Sequence, residues 1–168
     1  MKLYFSGFCL ENESELFSDY IVQNDFTVNG FSYGAVKAFE YALNTKERID
    51  KIQLFSPAFF NDKDKKYKRM QLMFFNKDAK TYCDNFLKNC GFTKELSLKY
   101  FKLGTFEELE ELLYYWWDKD KLQKLIDKDI QIEIYLGGND KIIDSKKALE
   151  FFQEFGDVYF IKNKGHIL

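Results

Sequence analysis

The amino-acid sequence predicts an α/β protein built on a mostly parallel sheet of about five strands flanked by helices. Short apolar runs alternate with amphipathic helical patterns at both ends of the 168-residue chain. About seventy mainly helical residues separate the third apolar run from the fourth. Strands that alternate with helices pair in parallel, because each helix carries the chain back to the edge where the previous strand began. The length suits one domain with a sizeable core.

The first part of the predicted core is formed by residues 1–58. Its apolar runs predict three strands, at residues 2–6, 26–29 and 51–56. Between the first two, apolar residues at positions i, i+1, i+4 and i+5 predict an amphipathic helix over residues 13–23. After the second strand, a helix with small alanines is predicted over residues 33–43.

The middle of the chain, residues 59–128, has helical patterns throughout and is predicted to be a helical cap inserted in the core. Thr105 and Glu108 form a possible capping box at the start of one of its helices. We expect an apolar surface of this segment to lie over the functional site. Most of the candidate residues should simply belong to the core, and the sequence does not select the few that form this surface: Met70, Leu72, Met73, Phe74, Phe75, Tyr114, Tyr115, Trp116 and Trp117.

The core is completed by residues 129–168, with strands predicted at residues 130–136 and 158–161 and a helix at residues 144–155. In parallel sheets, functional groups collect at the carboxyl ends of the strands. Gly7, Ser32, Asp140 and His166 each follow a predicted strand. We therefore expect these four residues to lie at one edge of the sheet.

Composition excludes several classes of protein. With 25 Lys and Arg against 27 Asp and Glu, the net charge is −2, which argues against a general nucleic-acid binder. One histidine and three cysteines without a C-x-x-C pair leave little material for a zinc site or a disulfide framework, so neither metal nor cofactor is expected. The sequence has no signal-peptide pattern and no apolar run long enough to cross a bilayer. We expect a cytoplasmic protein with no membrane contact.

The motif with the clearest chemical meaning is Gly30-Phe31-Ser32-Tyr33-Gly34, which matches G-x-S-x-G. Chance gives roughly 0.02 such matches in a chain of this composition. A predicted strand precedes the motif and a predicted helix follows it, as in a nucleophile elbow. Gly30 and Gly34 would prevent Cβ clashes with the neighbouring elements, and Ser32 would project at a helix N-terminus that stabilises negative charge. The alternative is an ordinary Gly/Ser turn.

A serine nucleophile needs a base and an acid that orients the base. Ser32, Asp140 and His166 occur in the chain order expected for a strand-turn-helix nucleophile site. Asp144 is a rival acid that more plausibly caps the next helix, and Asp62 is a weaker rival. The backbone amides of Phe8 and Tyr33 are the candidate oxyanion-hole donors.

These motifs together resemble the α/β-hydrolase superfamily: the elbow GFSYG, the strand and turn LGGNDKI, and the terminal KGHIL. More narrowly, the sequence resembles the compact pimeloyl-acyl carrier protein (ACP) methyl ester esterases of the BioV type. The residues that carry this narrower resemblance are Phe5-Ser6-Gly7-Phe8, Gly30–Ala35 with Lys37, Ala38 and Glu40-Tyr41-Ala42, residues 54–58, and His166-Ile167. The resemblance implies a truncated α/β-hydrolase fold, without the first strands of the usual sheet and without a final helix behind the His166 loop.

The resemblance also implies an activity, hydrolysis of the methyl ester of pimeloyl-ACP in biotin synthesis. Ser32 would attack the ester carbonyl, His166 would act as base and Asp140 would orient it. A generic small esterase or thioesterase of the same fold, and a catalytically weak acyl-protein-binding module, are the alternatives. The oligomeric state is left open.

A basic segment of the predicted cap is a candidate docking surface for acidic ACP. Its cationic residues are Lys63, Lys65, Lys66, Lys68 and Arg69, with a local net charge of +3 over residues 61–70. The alternative is a solvated helix start in a lysine-rich protein.

Overall fold

Five parallel strands form one sheet in the order β1-β2-β3-β4-β5 in the computed structural model, which describes residues 3–168. The strands are β1 (Leu3–Phe5), β2 (Thr27–Phe31), β3 (Lys51–Phe55), β4 (Gln131–Gly137) and β5 (Asp157–Ile161). The predicted α/β class and the predicted sheet are confirmed. Met1 and Lys2, which the prediction assigned to the core and, for Lys2, to the first strand, lie outside the described residues.

One face of the sheet is apolar and covered by helices. Val28, Ile52 and Ile132 are neighbours across β2, β3 and β4, so their side chains share this face. The helices that contact the sheet are α1 (Tyr33–Asn44), α6 (Lys119–Asp127) and α7 (Ser145–Phe152). Burying this apolar face is what holds the strands, and therefore the loops at their ends, in place.

The opposite face is aromatic and is covered without a regular α-helix. Phe31 and Phe55 pack on Phe17, each with a ring-centroid distance of 4.8 Å. Phe17 belongs to a short 3-10 helix, Glu13–Phe17, and the helix predicted over residues 13–23 is therefore wrong. The apolar spacing there reflects burial of aromatic side chains against the sheet, while Glu13 turns inward to accept hydrogen bonds.

Five helices lie between β3 and β4, four in the middle of the insert and α6 at its end. The first four are α2 (Lys65–Lys77), α3 (Ala79–Cys90), α4 (Lys94–Tyr100) and α5 (Phe106–Tyr114). The hydroxyl of Thr105 accepts a hydrogen bond from the Glu108 amide at 3.1 Å, as predicted for a helix start. None of the helices within residues 3–168 has the length and apolar character needed to cross a bilayer.

The insert, residues 59–128, is anchored to the core at its far end by a buried tryptophan. The Trp117 side chain is fully buried, and its ring lies 5.1 Å from the ring of Phe39 and 5.1 Å from that of Phe152. Its Nε1–H donates to the carbonyl of Ala58 at 2.9 Å. This hydrogen bond holds the start of the insert next to the segment between α5 and α6, and α6 then leads the chain back to the start of β4.

Candidate active site

Ser32 lies in a sharp turn between β2 and α1. Its backbone has φ 55° and ψ −113°, which an L-residue rarely adopts. A Cβ at Gly34 would lie 1.9 Å from the carbonyl oxygen of Phe5, and one at Gly30 would lie 2.2 Å from the carbonyl oxygen of Gly34. Both glycines of the motif are therefore required by close backbone approach, which is the geometry that a nucleophile elbow needs.

The side chains of Ser32, His166 and Asp140 form one continuous hydrogen-bonded line. His166 Nε2 lies 2.9 Å from Ser32 Oγ, and His166 Nδ1 lies 2.6 Å from Asp140 Oδ2. An ionised carboxylate only accepts hydrogen bonds, so Nδ1 carries the ring proton and Nε2 faces the serine as an acceptor. The predicted nucleophile, base and acid are thus brought together in the order that proton transfer requires.

The second oxygen of Asp140 is also held. Asp140 Oδ1 accepts hydrogen bonds from the amides of Ile142 at 2.7 Å and Ile143 at 3.0 Å. The carboxylate is fully buried yet satisfied on both oxygens, which fixes its direction towards His166.

The two rival acids have other roles. Asp144 caps α7 by accepting from the amide of Lys147 at 3.1 Å, as expected. Asp62 faces the ammonium group of Lys63 at 3.3 Å. Among the described carboxylates, only that of Asp140 is hydrogen bonded to His166.

The backbone around His166 is held by residues that the sequence interpretation did not assign to the site. Ser56 Oγ donates to the carbonyl of His166 at 2.6 Å, and the amide of Ile167 donates to the carbonyl of Cys90, at the end of α3, at 3.1 Å. The Phe31 ring lies 5.2 Å from the imidazole. Ser56 could have been found as a polar residue between the third strand and the only proline, whereas no sequence signal marks Cys90.

The loops that carry Asp140 and His166 also pack directly on each other. A Cβ at Gly137 would lie 2.0 Å from the carbonyl oxygen of Gly165, so the two backbones touch there. The amide of Asn139 donates to the carbonyl of Lys164 at 2.8 Å. This contact fixes the spacing of the acid and the base.

The two predicted oxyanion-hole amides are both unpaired. Within residues 3–168, neither the amide of Phe8 nor that of Tyr33 donates a hydrogen bond. Tyr33 is the first residue of α1, where backbone amides have no helical acceptor. The contact between Gly34 and the end of β1 brings the loop containing Phe8 next to the start of this helix. Two free donors thus lie on the elements that flank Ser32.

The insert covers the elbow. The hydroxyl of Tyr33 donates to the carboxylate of Glu111, on α5, at 2.9 Å. Burial and the neighbouring Glu111 raise the pKa of Tyr33 well above its usual range, so the phenol stays protonated as a donor. Ser32 is only 2% exposed and His166 is 0% exposed. The serine and the histidine are therefore closed off from solvent in this conformation.

A cavity of about 540 Å³ lies within the insert, beside the loop that follows β4. Its apolar wall includes Phe60, Phe86, Leu109, Leu112 and Ile142, and Ile142 is two residues from Asp140. Ser32 and His166 do not line the cavity. The volume is sufficient for a short acyl chain.

The apolar surface predicted over the site forms only in part. Phe74 lines the cavity, but Met73 is 67% exposed and Trp116 is 61% exposed to solvent. Trp117 is buried in the core instead. The prediction was wrong for Met73 and Trp116, because apolar spacing alone does not distinguish the outward face of the insert from its inward face, whereas Trp117 is one of the candidates that belong to the core.

The cationic residues of the predicted basic segment differ in their exposure to solvent. Lys65, Lys66 and Arg69 are exposed on α2, whereas Lys68 is buried. The Lys68 ammonium lies 5.4 Å from the centre of the Tyr114 ring, and burial lowers the pKa of this lysine. Lys68 therefore does not belong to an accessible docking surface, and its inclusion there was wrong. Lys63 is partly buried beside Asp62.

No group of three His, Cys, Asp or Glu side chains that could hold a metal ion occurs within the described part of the chain.

Comparison with known proteins gives structural matches only. No family model and no curated protein sequence matches the chain. An esterase from Exiguobacterium antarcticum is similar with a TM-score of 0.62 and 18% identity, over 83% of this chain and 59% of that one. MenH from S. aureus is similar with a TM-score of 0.59 and 14% identity, over 98% of this chain and 85% of that one. BioG from Haemophilus influenzae is similar with a TM-score of 0.59 and 15% identity, over 99% and 88%.

The chain has the α/β-hydrolase fold. Because all three identities are below 25%, the likeness concerns the fold and not the reaction. The chain spans 59% of the length of the Exiguobacterium esterase. In this α/β-hydrolase fold, the Ser32 turn, the loop after β4 and the loop after β5 all lie at the carboxyl end of the sheet.

Proposed function

We propose that the protein is a serine esterase that hydrolyses the methyl ester of pimeloyl-ACP. The observation that supports this best is the series of hydrogen bonds from Asp140 through His166 to Ser32, which lies in a strained turn at the N-terminus of α1. A serine needs this arrangement to become a nucleophile at neutral pH.

The first half of the reaction forms an acyl-enzyme. Ser32 Oγ attacks the ester carbonyl while its proton moves to His166 Nε2, and Asp140 stabilises the imidazolium that results. The tetrahedral oxyanion accepts hydrogen bonds from the amides of Phe8 and Tyr33. When the intermediate collapses, the carbon–oxygen bond to methoxide breaks, and His166 transfers its proton to the leaving group to give methanol.

The second half releases the acid. His166 takes a proton from water, and the hydroxide attacks the acyl carbon of the Ser32 ester. Collapse breaks the bond to Ser32 Oγ, which takes the proton back from His166. The product is pimeloyl-ACP with a free carboxyl group, and the reaction needs no metal or cofactor.

The choice of substrate rests on the resemblance to BioV-type esterases, and two features of the insert support it. The cavity beside Ile142 has an apolar wall that includes Leu109 and Leu112, against which a seven-carbon chain can pack, while polar residues such as Gln71 and Asp78 line the rest. The exposed Lys65, Lys66 and Arg69 suit an acidic carrier protein. Because Ser32 and His166 are closed off, the proposal requires the insert to move away from the elbow when the ester enters. The carrier protein and the pathway would place the protein in the cytoplasm.

Labelling with a fluorophosphonate probe tests the hydrolase chemistry. The wild type should form a covalent adduct on Ser32, and Ser32→Ala should form none. Ser18→Ala removes a hydroxyl from an exposed position and should label like the wild type. A wild-type protein that is folded but neither labels nor hydrolyses p-nitrophenyl esters would contradict the enzyme proposal and favour an acyl-protein-binding module.

The substrate is tested with the methyl ester of pimeloyl-ACP and in a strain that lacks its pimeloyl-ester esterase. We expect hydrolysis to free-carboxyl pimeloyl-ACP and growth without biotin. Activity on short p-nitrophenyl esters together with failure on the ACP ester and in the growth assay would favour a generic esterase.

Charge reversal tests the docking surface. The triple variant Lys65→Glu, Lys66→Glu, Arg69→Glu should lower kcat/KM for the ACP ester by about tenfold, because steering of a charged partner is lost. Its kcat/KM for p-nitrophenyl acetate should be unchanged. A control with Lys88→Glu and Lys94→Glu, at exposed positions on α3 and α4, should leave both substrates unaffected. Equal losses on both substrates in the triple variant would contradict docking on α2.

A further inference from the structure

Glu13 is a buried acid that the mechanism above does not use. Its side chain lies beneath the loop of residues 6–12, here called the oxyanion loop, and the residue is 0% exposed. Glu13 Oε1 accepts hydrogen bonds from the amide of Gly7 at 2.8 Å and from the hydroxyl of Tyr4 at 2.9 Å. Burial and the neighbouring Glu13 raise the pKa of Tyr4, so its hydroxyl remains a donor.

The peptide that follows Gly7 carries the proposed oxyanion donor. The carbonyl of Gly7 accepts a hydrogen bond from the amide of Leu10 at 3.3 Å. The described peptide bonds are all trans, so the N–H of Phe8 and the carbonyl of Gly7 point in opposite directions. The direction of the Phe8 amide is therefore set by the backbone angles of Gly7.

Glycine does not fix those angles by itself, because it lacks a Cβ. The later part of the oxyanion loop is held by the insert, through the Glu11 amide on the Tyr100 carbonyl at 2.8 Å and the Lys102 amide on the Cys9 carbonyl at 3.0 Å. These contacts lie beyond Phe8. Among the described groups, Glu13 is the acceptor for the Gly7 amide. This hydrogen bond holds the chain on the N-terminal side of the peptide that joins Gly7 and Phe8.

The two oxygens of the Glu13 carboxyl group have opposite effects on stability. Glu13 Oε2 is buried and has no hydrogen-bond partner within residues 3–168, which is unfavourable. Glu13 Oε1 accepts from the Gly7 amide and the Tyr4 hydroxyl, and an apolar side chain of the same size would leave both donors without this acceptor. Of these two donors, the Gly7 amide belongs to the oxyanion loop.

We propose that Glu13 is a positioning residue that orients the Phe8 amide towards the oxyanion. The inference rests on the proposed esterase function, because it concerns the stabilisation of that reaction's tetrahedral intermediate. Glu13 itself touches neither the substrate nor the reacting atoms. Its effect should be confined to the transition state and to inhibitors that mimic it.

A pair of variants of similar size separates positioning from packing. Glu13→Gln keeps an oxygen that accepts from Gly7, whereas Glu13→Met keeps the length of the side chain without that acceptor. With p-nitrophenyl acetate, Glu13→Gln should keep kcat within about threefold of the wild type. Glu13→Met should lower kcat by about 10²-fold with KM within about threefold, the loss typical of removing one oxyanion donor. Tyr4→Phe, which removes the other donor to Glu13, should leave kcat within about twofold.

Affinity for a boronic acid inhibitor gives a readout that simple loss of packing would not change in this way. The inhibitor mimics the tetrahedral intermediate, so its dissociation constant should rise in Glu13→Met by the same factor by which kcat/KM falls. Far-UV circular dichroism checks that each variant is folded. If Glu13→Met does not fold, Glu13→Ala replaces it with the same expected losses, and if neither folds, Glu13 serves folding and the inference is overturned.

Two further results would overturn the inference and leave the esterase proposal intact: a folded Glu13→Met with wild-type kcat and inhibitor affinity, or a loss of activity in Glu13→Gln as large as that in Glu13→Met. A wild-type protein that shows neither esterase activity nor labelling would overturn the proposed function, and this inference with it.

Discussion

Ser32 and His166 are held in place by different means. Ser32 is positioned mainly within its own motif, by a strained backbone conformation and by two glycines within two residues of it, and its backbone also hydrogen bonds to Phe55 and Ala58. His166 is positioned from a distance, by the hydroxyl of Ser56, the carbonyl of Cys90 and the carboxylate of Asp140. Contacts between residues that are close in sequence leave a recognisable motif, whereas contacts between residues that are far apart in the chain do not.

The difference also predicts how the surroundings of Ser32 and of His166 respond to mutation. Changes near Ser32 act on the folding of the sheet, because the elbow is part of the contact between β1, β2 and α1. Changes around His166 leave the sheet intact and alter the alignment of the base.

The largest effect is expected for Gly34→Ala. The new Cβ would lie 1.9 Å from the carbonyl oxygen of Phe5, a backbone atom that cannot move without displacing β1. We expect a loss of at least about 3 kcal/mol in the free energy of unfolding, measured by urea denaturation, or no soluble protein. Gly165→Ala is the matched control next to His166, since its Cβ would have no heavy atom closer than 3.8 Å. Equal stability of the two variants would contradict the local origin of the Ser32 geometry.

Asp140→Asn should preserve the fold and abolish most of the activity. The amide would no longer hold the histidine in the tautomer that accepts from Ser32, and a loss of about 10⁴-fold in kcat is typical. Kinetics on p-nitrophenyl acetate measure it. Asp144→Asn changes an acid that only caps α7 and should keep wild-type kcat. Similar losses in both variants would point to a general disturbance of this loop.

Ser56→Ala should have an intermediate effect. Removing the hydroxyl leaves the buried carbonyl of His166 without this donor, so the free energy of unfolding should fall by about 1–2 kcal/mol. We expect kcat to fall by about tenfold, since the imidazole loses part of its alignment. The exposed Ser18→Ala should change neither quantity. An unchanged kcat in Ser56→Ala would mean that Asp140 and Cys90 suffice to position the base.

The smallest effect is expected for Tyr33→Phe. The variant loses the hydrogen bond between the elbow and Glu111 but keeps the backbone amide that faces the oxyanion. The free energy of unfolding should fall by about 1 kcal/mol, with kcat within about twofold of the wild type. A large loss of kcat would show that the insert helps to hold the serine as well as the histidine.

Much of the fold could be predicted from the sequence because its signals are local. Alternation of apolar runs and helical patterns predicted the sheet, and G-x-S-x-G marked the turn at Ser32. Asp140 could be selected over Asp144 because Asp144 was expected to cap the next helix, as it does.

What could not be predicted depends on tertiary contacts. The helix expected at residues 13–23 does not form, because Phe17 packs on the sheet and Glu13 turns towards Gly7. The support of His166 by Cys90 joins residues that are far apart in the chain and carries no sequence pattern. The burial of Lys68 and the exposure of Trp116 likewise depend on which side of the insert faces the core.

The hydrogen bond from the Ile167 amide to the Cys90 carbonyl makes the insert an inseparable part of the molecule. Although residues 59–128 form one continuous segment of the chain, they could not be exchanged for another cap as a unit. Any replacement would have to rebuild the end of α3 at the same position, or the proposed base would lose one of its supports. Evolution or design of new substrate preference is therefore easier by single substitutions along the cavity than by swapping the insert.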